Sequence, residues 1–435
     1  MDKNQKLYKL AKKIIPGGVM LFSKRPENHL PGKWPTYFKK AKGINVWDLN
    51  NIKYLDMYYG VGQSVLGYAN SKVDNEVIKS NKTGNMSSLN SYQEVLLAKK
   101  LIDIHPWSGF ARFAKTGGEA NAIATRIARS INNKDKVAIC GYHGWHDWYL
   151  AANLKSKNTL NSHLLNGLKS IGVPKALKNT IFSFRMNNFD DLRKIKKIKN
   201  LSSIIMEVQR EKQPDIKFLR EIRNYCTKNK IILIFDECTS GFRETYGGIH
   251  LSYKIYPDLL VLGKSLGNGY PITCVLGKKK YLKKASSTFI SSTFWTEKSG
   301  IVAALKTLDI MKKDNTFIKV KKTGQQIKDI WQKLSKKYKI PMSIYGLDSI
   351  PCFKILLKNS NKYKTFITQE MLKNKILATN MIYISTVHSN KHIKNYQDIL
   401  DKIFYKIQKC EQKKLSINKI LKNKVSNSDF NRLTS

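Results

Sequence analysis

The chain has 435 residues, 78 Lys+Arg against 31 Asp+Glu, and a formal net charge of +47. That length suggests two or three structural units around at least one sizeable core, and 42% hydrophobic with 10% aromatic content excludes disorder for the bulk of it. The basic residues are 67 Lys and only 11 Arg, spread along the chain beside 35 Asn. They read as a solvated surface shaped by A+T-rich coding and not as a specific nucleic-acid interface, which needs Arg for bidentate contacts.

The first residues, Met1–Asp2–Lys3–Asn4–Gln5–Lys6, are polar, with no apolar run of signal-peptide length. Apolar runs such as Ile231–Phe235 are only strand-length, so no bilayer span is expected. Six cysteines (140, 226, 238, 274, 352 and 410) lie far apart without Cys-x-x-Cys spacing. Free thiols in a reducing cytoplasm are expected, and no zinc site.

Residues 1–45 mix a short helical start with Gly and Pro and read as an arm of loops. Gly43–Met57 alternates as two strands about a turn at Asn50–Asn51. From about 90 to 310, apolar runs alternate with helical stretches: Lys136–Cys140, Ser203–Val208, Ile231–Phe235, Leu259–Leu262 and Thr273–Leu276. Strands this apolar predict an α/β fold with a parallel or mixed sheet covered on both faces. Ile301–Met311 reads as a long helix, after which the pattern turns α+β. The expected division is an N-terminal arm and small-domain segment over 1–50, a large domain over 51–311, a smaller α+β domain over 312–410, and a loose basic tail over 411–435.

Four segments along this pattern could carry chemistry. Lys115–Thr116–Gly117–Gly118–Glu119–Ala120 precedes a helical stretch, and free N–H groups at a helix start favour an anion such as phosphate. An ordinary loop-to-helix junction has the same pattern. Gly141–Tyr142–His143–Gly144–Trp145–His146 follows the strand ending at Cys140, where open α/β sheets place ligands. Its aromatics could stack on a flat ring, or plug the loop; a metal is not expected, because His143 and His146 lie three apart outside any recognised ligand spacing. Ile231–Phe235 runs into Asp236–Glu237, a buried strand delivering a carboxylate that needs a cation or strong donor. A salt bridge to nearby Arg243 would also satisfy it. Finally, Leu259–Leu262 leads into Gly263–Lys264, a lysine at a sheet edge that burial could turn into an amine nucleophile. An anion cradle, a stacking aromatic, a buried carboxylate and a buried amine are together the set that pyridoxal phosphate chemistry requires.

These segments, with Ile15–Pro16–Gly17–Gly18–Val19, Gly172–Val173–Pro174–Lys175, Thr239–Ser240–Gly241–Phe242–Arg243, Ser265–Leu266–Gly267–Asn268–Gly269–Tyr270–Pro271 and Ser292–Thr293, resemble the class III aminotransferases of fold type I. The resemblance spans about residues 14–405 and is strongest to the glutamate-1-semialdehyde aminomutase-like branch. It implies a large domain with a mostly parallel seven-stranded sheet, a smaller α+β domain, and pyridoxal 5'-phosphate as cofactor. It further implies Lys264 as the Schiff-base lysine, Asp236 as partner of the ring nitrogen, and Tyr142 as the stacking aromatic with His143 beside it. Cys238 falls on the opposite face, where the family usually has Val. Thr116, Gly117 and Gly118 match the phosphate cradle. Thr293 matches the threonine that reaches the neighbouring subunit's cofactor, which implies a homodimer.

The departures concern substrate. Where the aminomutase has a Ser and an Arg to hold a carboxylate, this chain has Leu21 and Lys24, with Ser23 and Arg25 one or two residues away. A Trp two residues after Tyr59 is replaced by Val61, and Ile382–Ser389 carries no acid. Ser23, Lys24, Arg25, Val61 and Glu207 are the candidate substrate residues. Loss of a paired recognition group changes which molecule a site accepts. The expected activity is therefore aminotransfer from a donor such as glutamate to a carbonyl of a small metabolite. Aminomutase activity is the alternative, followed by a pyridoxal phosphate lyase or epimerase and by a non-enzymatic polyanion binder.

Overall fold

The computed structural model describes residues 2–156, 158–161, 163 and 167–427. The chain forms two units, one of Met1–Asn70 with Ile318–Ser435 and one of Ser71–Phe317.

The first unit begins with helix α1 (Lys3–Ile14), capped by Asp2, whose side chain accepts the Asn4 N–H. Strands β1 (Phe38–Lys42), β2 (Asn45–Asp48) and β3 (Lys53–Asp56) form an antiparallel meander. Its β2–β3 turn is closed by Asp48 Oδ1, which accepts the N–H groups of Asn50 and Ile52.

The second unit holds α2 (Ser71–Asn81), α3 (Tyr92–Ile104), β4 (Phe110–Ala114), α4 (Gly117–Asn132), β5 (Lys136–Cys140), α5 (Asp147–Leu150), β6 (Ile181–Ser183), α6 (Phe189–Lys196), β7 (Leu201–Met206) and α7 (Ile216–Lys228). It continues with β8 (Ile232–Glu237), α8 (His250–Tyr253), β9 (Leu259–Leu262), β10 (Thr273–Gly277), α9 (Lys279–Leu282) and α10 (Ser299–Lys313). Its seven strands lie in the order β4-β10-β9-β8-β7-β5-β6, and β10 alone runs antiparallel to its neighbours. Strands β7 to β10 are buried from end to end, as continuous apolar runs require when helices cover both faces. Alternate residues Val137, Ile139, Ile205, Ile234, Val261 and Val275 share one core with Ala120, Ile123, Ala124, Ile127 and Ala128 of α4. Fully burying each such Ile or Val contributes about 1.5–3 kcal/mol, and the small Ala side lets α4 lie close to the sheet.

The first unit resumes with α11 (Thr316–Tyr338), β11 (Met342–Tyr345), β12 (Cys352–Ile355), α12 (Ser360–Lys373), β13 (Ile376–Leu377), α13 (Asn390–Glu411) and α14 (Ile417–Ile420). Strand β13 pairs parallel with β3. That pairing moves residues 51–70, expected in the large domain, into the first unit, so the divisions fall after Asn70 and Phe317 and not after 50 and 311. The expectation of a loose tail also changes. Ile417 is buried, Gln369 Nε2 donates to Ile420 O, and the N–H groups of Lys422 and Ser426 donate to Gln369 Oε1 and Thr365 Oγ1. Polar groups on the buried side of α12, which composition alone treats as exposed, hold the tail as far as Asn427; residues 428–435 of the expected tail lie outside the described residues.

Candidate functional site

Strands β5, β7, β8 and β9 are parallel, so their carboxyl ends share one edge. Cys140 pairs with Met206 and Met206 with Phe235, which puts Gly141, Glu207 and Asp236 in the next row. Asp236 is level with Val261, three residues before Lys264. At the same edge Ala114, the end of β4, pairs with Thr273, the start of β10, so the turn into α4 emerges there too. The four chemistry-bearing segments converge because each one follows a strand or starts a helix at this edge.

Asp236 is buried. Its Oδ2 accepts Asn121 Nδ2 at 2.7 Å and His143 Nδ1 at 2.8 Å, and its Oδ1 accepts the Cys238 N–H at 3.1 Å. Three donors satisfy the carboxyl group in a dry place and leave lone-pair capacity on Oδ1. The adjacent Glu237 has a different task. It is fully buried, and burial would raise its pKa, but the His250 ring at 2.6 Å, the His250 N–H and the Ile249 N–H outweigh that and lower it. Strand alternation sends Asp236 to the edge and Glu237 into a structural pair.

Lys264, partly buried, has φ +21° after the extended Gly263, and its Nζ donates to Thr239 Oγ1 at 2.7 Å. Burial pulls its pKa down to about 8. The same burial pushes the Cys238 thiol up to about 11, with Lys264 opposing. The Cys238 sulfur sits so close to Gly117 and Gly263 that a Cβ there would lie 2.8 and 2.5 Å from it.

Thr116 is the N-cap of α4. Its Oγ1 accepts the Glu119 N–H, and Glu119 Oε2 accepts the Thr116 N–H at 2.8 Å, a capping box. The first-turn N–H groups of Gly117 and Gly118 have no intrahelical partner by construction. A Cβ on Gly118 would lie 2.7 Å from the His146 ring. Glycine is required at both positions, and the helix start is open to an anion.

Tyr142 is half-buried and packs edge-on against Tyr149 at 5.8 Å. Its backbone N–H donates to Glu207 Oε2 at 3.0 Å, while Glu207 Oε1 pairs with Arg210 Nη1 at 2.8 Å. Gly141 has φ +118°, and a Cβ there would meet Glu207 Oε2 at 2.6 Å. Gly141→Ala is accordingly expected to destabilise the protein by about 2 kcal/mol through backbone strain and displacement of the held carboxylate. Urea unfolding checks it, and an unchanged midpoint would refute the reading.

Thr293 is exposed on a short 3-10 turn, Thr293–Thr296. In the first unit, Ser23 O accepts from His29 Nε2 at 2.9 Å, and Lys24 is exposed. Arg25 is buried, with its guanidinium 4.5 Å from the Phe22 ring centre and crowded against Gly17. Val61 has φ 63° between Gly60 and Gly62, in a turn that is left-handed from Tyr59 to Gly62. Left-handed backbone is strained for a β-branched residue. Asn121, Thr239 and Arg210 were missed by sequence reasoning. Asn121 had a signal, a polar residue on the otherwise apolar buried face of α4; the other two had none.

A seven-stranded, mostly parallel sheet bearing an amine, a held carboxylate and an aromatic at one carboxyl edge defines a pyridoxal phosphate-dependent transferase of fold type I. Solved structures agree on the fold. The FumI protein of Sphingopyxis sp. MTA144, in a form with pyridoxal phosphate, superposes with a TM-score of 0.85 over 96% of this chain and 99% of that one at 21% identity. A glutamate-1-semialdehyde aminomutase from Pseudomonas aeruginosa PAO1 does so with a TM-score of 0.80 over 93% and 94% at 15% identity. The aminotransferase class-III family model matches residues 28–403. Among curated proteins, a 3-aminobutyryl-CoA aminotransferase of Cloacimonas acidaminovorans is 32% identical over 85% of this chain and 87% of its own. A glutamate-1-semialdehyde 2,1-aminomutase of Wigglesworthia glossinidia brevipalpis is 30% identical over 97% and 98%. The chain belongs to the class III aminotransferases, on their aminomutase-like branch. Among the described residues no helix is long and apolar enough to cross a membrane.

Proposed function

We propose that this enzyme takes an amino group from a donor such as glutamate and gives it to the carbonyl of a small metabolite, with Lys264 as the residue that holds pyridoxal phosphate and moves the proton. The observation that carries the reading is Lys264 Nζ, its pKa drawn down by burial, on the same strand edge as the triply held Asp236 carboxylate. The residues present fit the cofactor. Gly117 and Gly118 leave a helix start with no room for a side chain and open N–H groups for its phosphate. Asp236 is positioned as an acceptor for a ring N–H, and Tyr142 and Cys238 offer an aromatic and a soft contact beside it. Thr116, occupied by its capping box, orients those N–H groups. When bound, pyridoxal phosphate supplies an electron sink for a carbanion at the substrate Cα.

The chain's own contribution follows. Asn121, His143 and the Cys238 N–H fix the Asp236 carboxyl group at the edge, where it can accept a ring N–H. Thr239 holds Lys264 Nζ in place, and a lysine with a pKa near 8 can both accept and return a proton at neutral pH. Glu207 fixes the Tyr142 backbone and hence the aromatic wall.

Aminomutase activity is the second reading, supported by the full-length similarity to the Wigglesworthia enzyme. Against it stand Arg25, packed on Phe22 and Gly17, and Val61 in place of a Trp. A homodimer with Thr293 reaching the neighbouring site is supported by exposed Leu89 and Tyr92 and by exposed Phe289 and Phe294. The two stretches are joined where Lys298 N–H donates to Asn85 O. Six free thiols suit a cytoplasmic place.

The test is the visible spectrum of the purified holoenzyme before and after adding L-glutamate. Bleaching with release of 2-oxoglutarate is the expected result. A yellow protein that glutamate leaves unchanged would shift the reading to the aminomutase, and a colourless one that takes up no cofactor would overturn both.

A further inference from the structure

The start of α4 is clamped by a stretch of chain far downstream. Residues 289–297 are stitched to β4 and α4, where Arg112 donates to Ile290 O and Arg126 donates to Phe289 O at 3.0 Å. Two further contacts fall on the helix start itself. Trp295 Nε1–H donates to Glu119 Oε1 at 3.2 Å, across 176 residues, and Lys115 Nζ donates to the Glu297 carboxylate and to Glu297 O. The Lys115–Glu297 pair is largely buried, each side chain 13% exposed, and the lysine's charge also reaches Glu94 of α3. Glu297 has a structural task of its own, because it accepts the N–H groups of Ser299 and Gly300 where α10 begins. Glu119 is different, since it is an acid at the very helix start that is open to an anion. Its Oε2 accepts the N–H groups of Lys115 and Thr116 and the Thr116 hydroxyl, at 3.1, 2.8 and 3.1 Å, and its Oε1 accepts the indole. Burial would raise its pKa, but these donors outweigh that and lower it. The His146 ring against Gly118 feels the Glu119 charge as well, yet burial outweighs it and lowers the ring's pKa. A carboxylate free to turn at a helix start competes for the same first-turn N–H groups that receive an anion. The indole fixes its second oxygen, and with it the orientation that closes the capping box.

We propose that Trp295 is a positioning residue for cofactor binding: its indole N–H holds the Glu119 carboxylate in the capping box and off the Gly117 and Gly118 N–H groups, which are then open to the phosphate. The proposal rests on the reading of this helix start as the phosphate cradle of pyridoxal phosphate. It gives Trp295 a task beyond packing, since Trp295→Phe keeps an aromatic ring against the core and loses the N–H. It also gives the short turn that carries Thr293 a role within its own chain.

The experiment measures, by equilibrium dialysis against the cofactor-free full chain, the affinities of pyridoxal phosphate and of pyridoxal, which lacks the phosphate. Trp295→Phe is expected to weaken pyridoxal phosphate about tenfold and to leave pyridoxal unchanged. In a Glu119→Gln background there is no carboxylate to hold, so the same change should alter neither affinity. Equal loss of both ligands would assign Trp295 to packing and overturn the proposal. No loss of pyridoxal phosphate would overturn it too, as would a tenfold loss that persists beside Glu119→Gln. If Trp295→Phe does not fold, Glu119→Asp decides, because the shorter carboxylate cannot reach the indole and is still an anion at the helix start. An unchanged preference for the phosphorylated ligand then rejects the proposal, and a several-fold loss confined to that ligand supports it. Wild type that takes up no pyridoxal phosphate would reject the cofactor reading and this proposal together. Uptake by wild type with an unaltered Trp295→Phe would reject the proposal and leave the cofactor reading standing.

Discussion

Lys264→Ala is expected to lower turnover with any amino donor on the order of 10⁴-fold or more and to abolish the yellow colour of the purified protein. The substitution removes the amine that the structure holds at the sheet edge against Thr239 Oγ1, and with it both the covalent anchor and the proton carrier of the proposed mechanism. The pH dependence has a defined sign. With a pKa near 8, about one Lys264 side chain in ten is neutral at pH 7, against about one in three thousand for a lysine at 10.5. Cofactor uptake by the cofactor-free protein should therefore accelerate as pH rises and level off above about 8. The same lowering disfavours the protonated lysine in the folded state. Its penalty on stability is full below pH 8 and is relieved as pH rises towards 10.5. Stopped-flow absorbance against pH reads the first effect. A rate still climbing at pH 10 would mean that burial does not tune this amine. An alanine variant that keeps its colour would remove Lys264 from the mechanism altogether.

Asp236→Asn is expected to cost about 10³-fold in the glutamate half reaction while the protein still takes up cofactor. The amide keeps the shape of the carboxylate and removes the charge that favours a protonated partner. It also turns an acceptor with three donors into a group that can oppose one of them with its own N–H. With the amide nitrogen in the Oδ1 place the Cys238 N–H would lose its acceptor, and in the Oδ2 place both Asn121 Nδ2 and His143 Nδ1 would, at about 1–3 kcal/mol for each buried donor. Slower chemistry and reduced thermal stability should appear together. Single-turnover kinetics and a melting curve on the same preparation check both, and a variant within tenfold of wild type would reject Asp236 as the ring partner. Glu237→Gln separates the neighbours, because its carboxylate serves His250 and Ile249. Its loss should appear in stability first.

Much of the large unit was legible from residue order because its strands are buried on both faces. Runs such as Lys136–Cys140 and Leu259–Leu262 are strands with those bounds. Thr273–Leu276 gains one residue, and the expected Ser203–Val208 shifts two residues earlier to Leu201–Met206. Edge strands β4 and β6 were not anticipated. Phe110–Ala114 is half exposed and Ile181–Ser183 is three residues long, so neither has a continuous apolar signature.

The sequence by itself determined that an amine, a carboxylate, an aromatic and a glycine-rich helix start each follow an apolar run or open a helix. In a parallel sheet that ordering leaves them one shared edge. Only the tertiary structure decided which side chain does what there. The pairing Cys140 to Met206 to Phe235 aligns Gly141 with Glu207 and Asp236, so that Glu207 holds Tyr142 and Arg210. The rotation of α4 aims Asn121 at Asp236 and commits Thr116 to Glu119. The parallel pairing of β13 with β3, more than three hundred residues apart, moves the boundary between the units. Periodicity is local, set by 3.6 or 2 residues per repeat, and is carried in neighbouring residues. Register between distant strands and the partner of a buried polar atom are settled by long-range packing, which no short window of sequence contains.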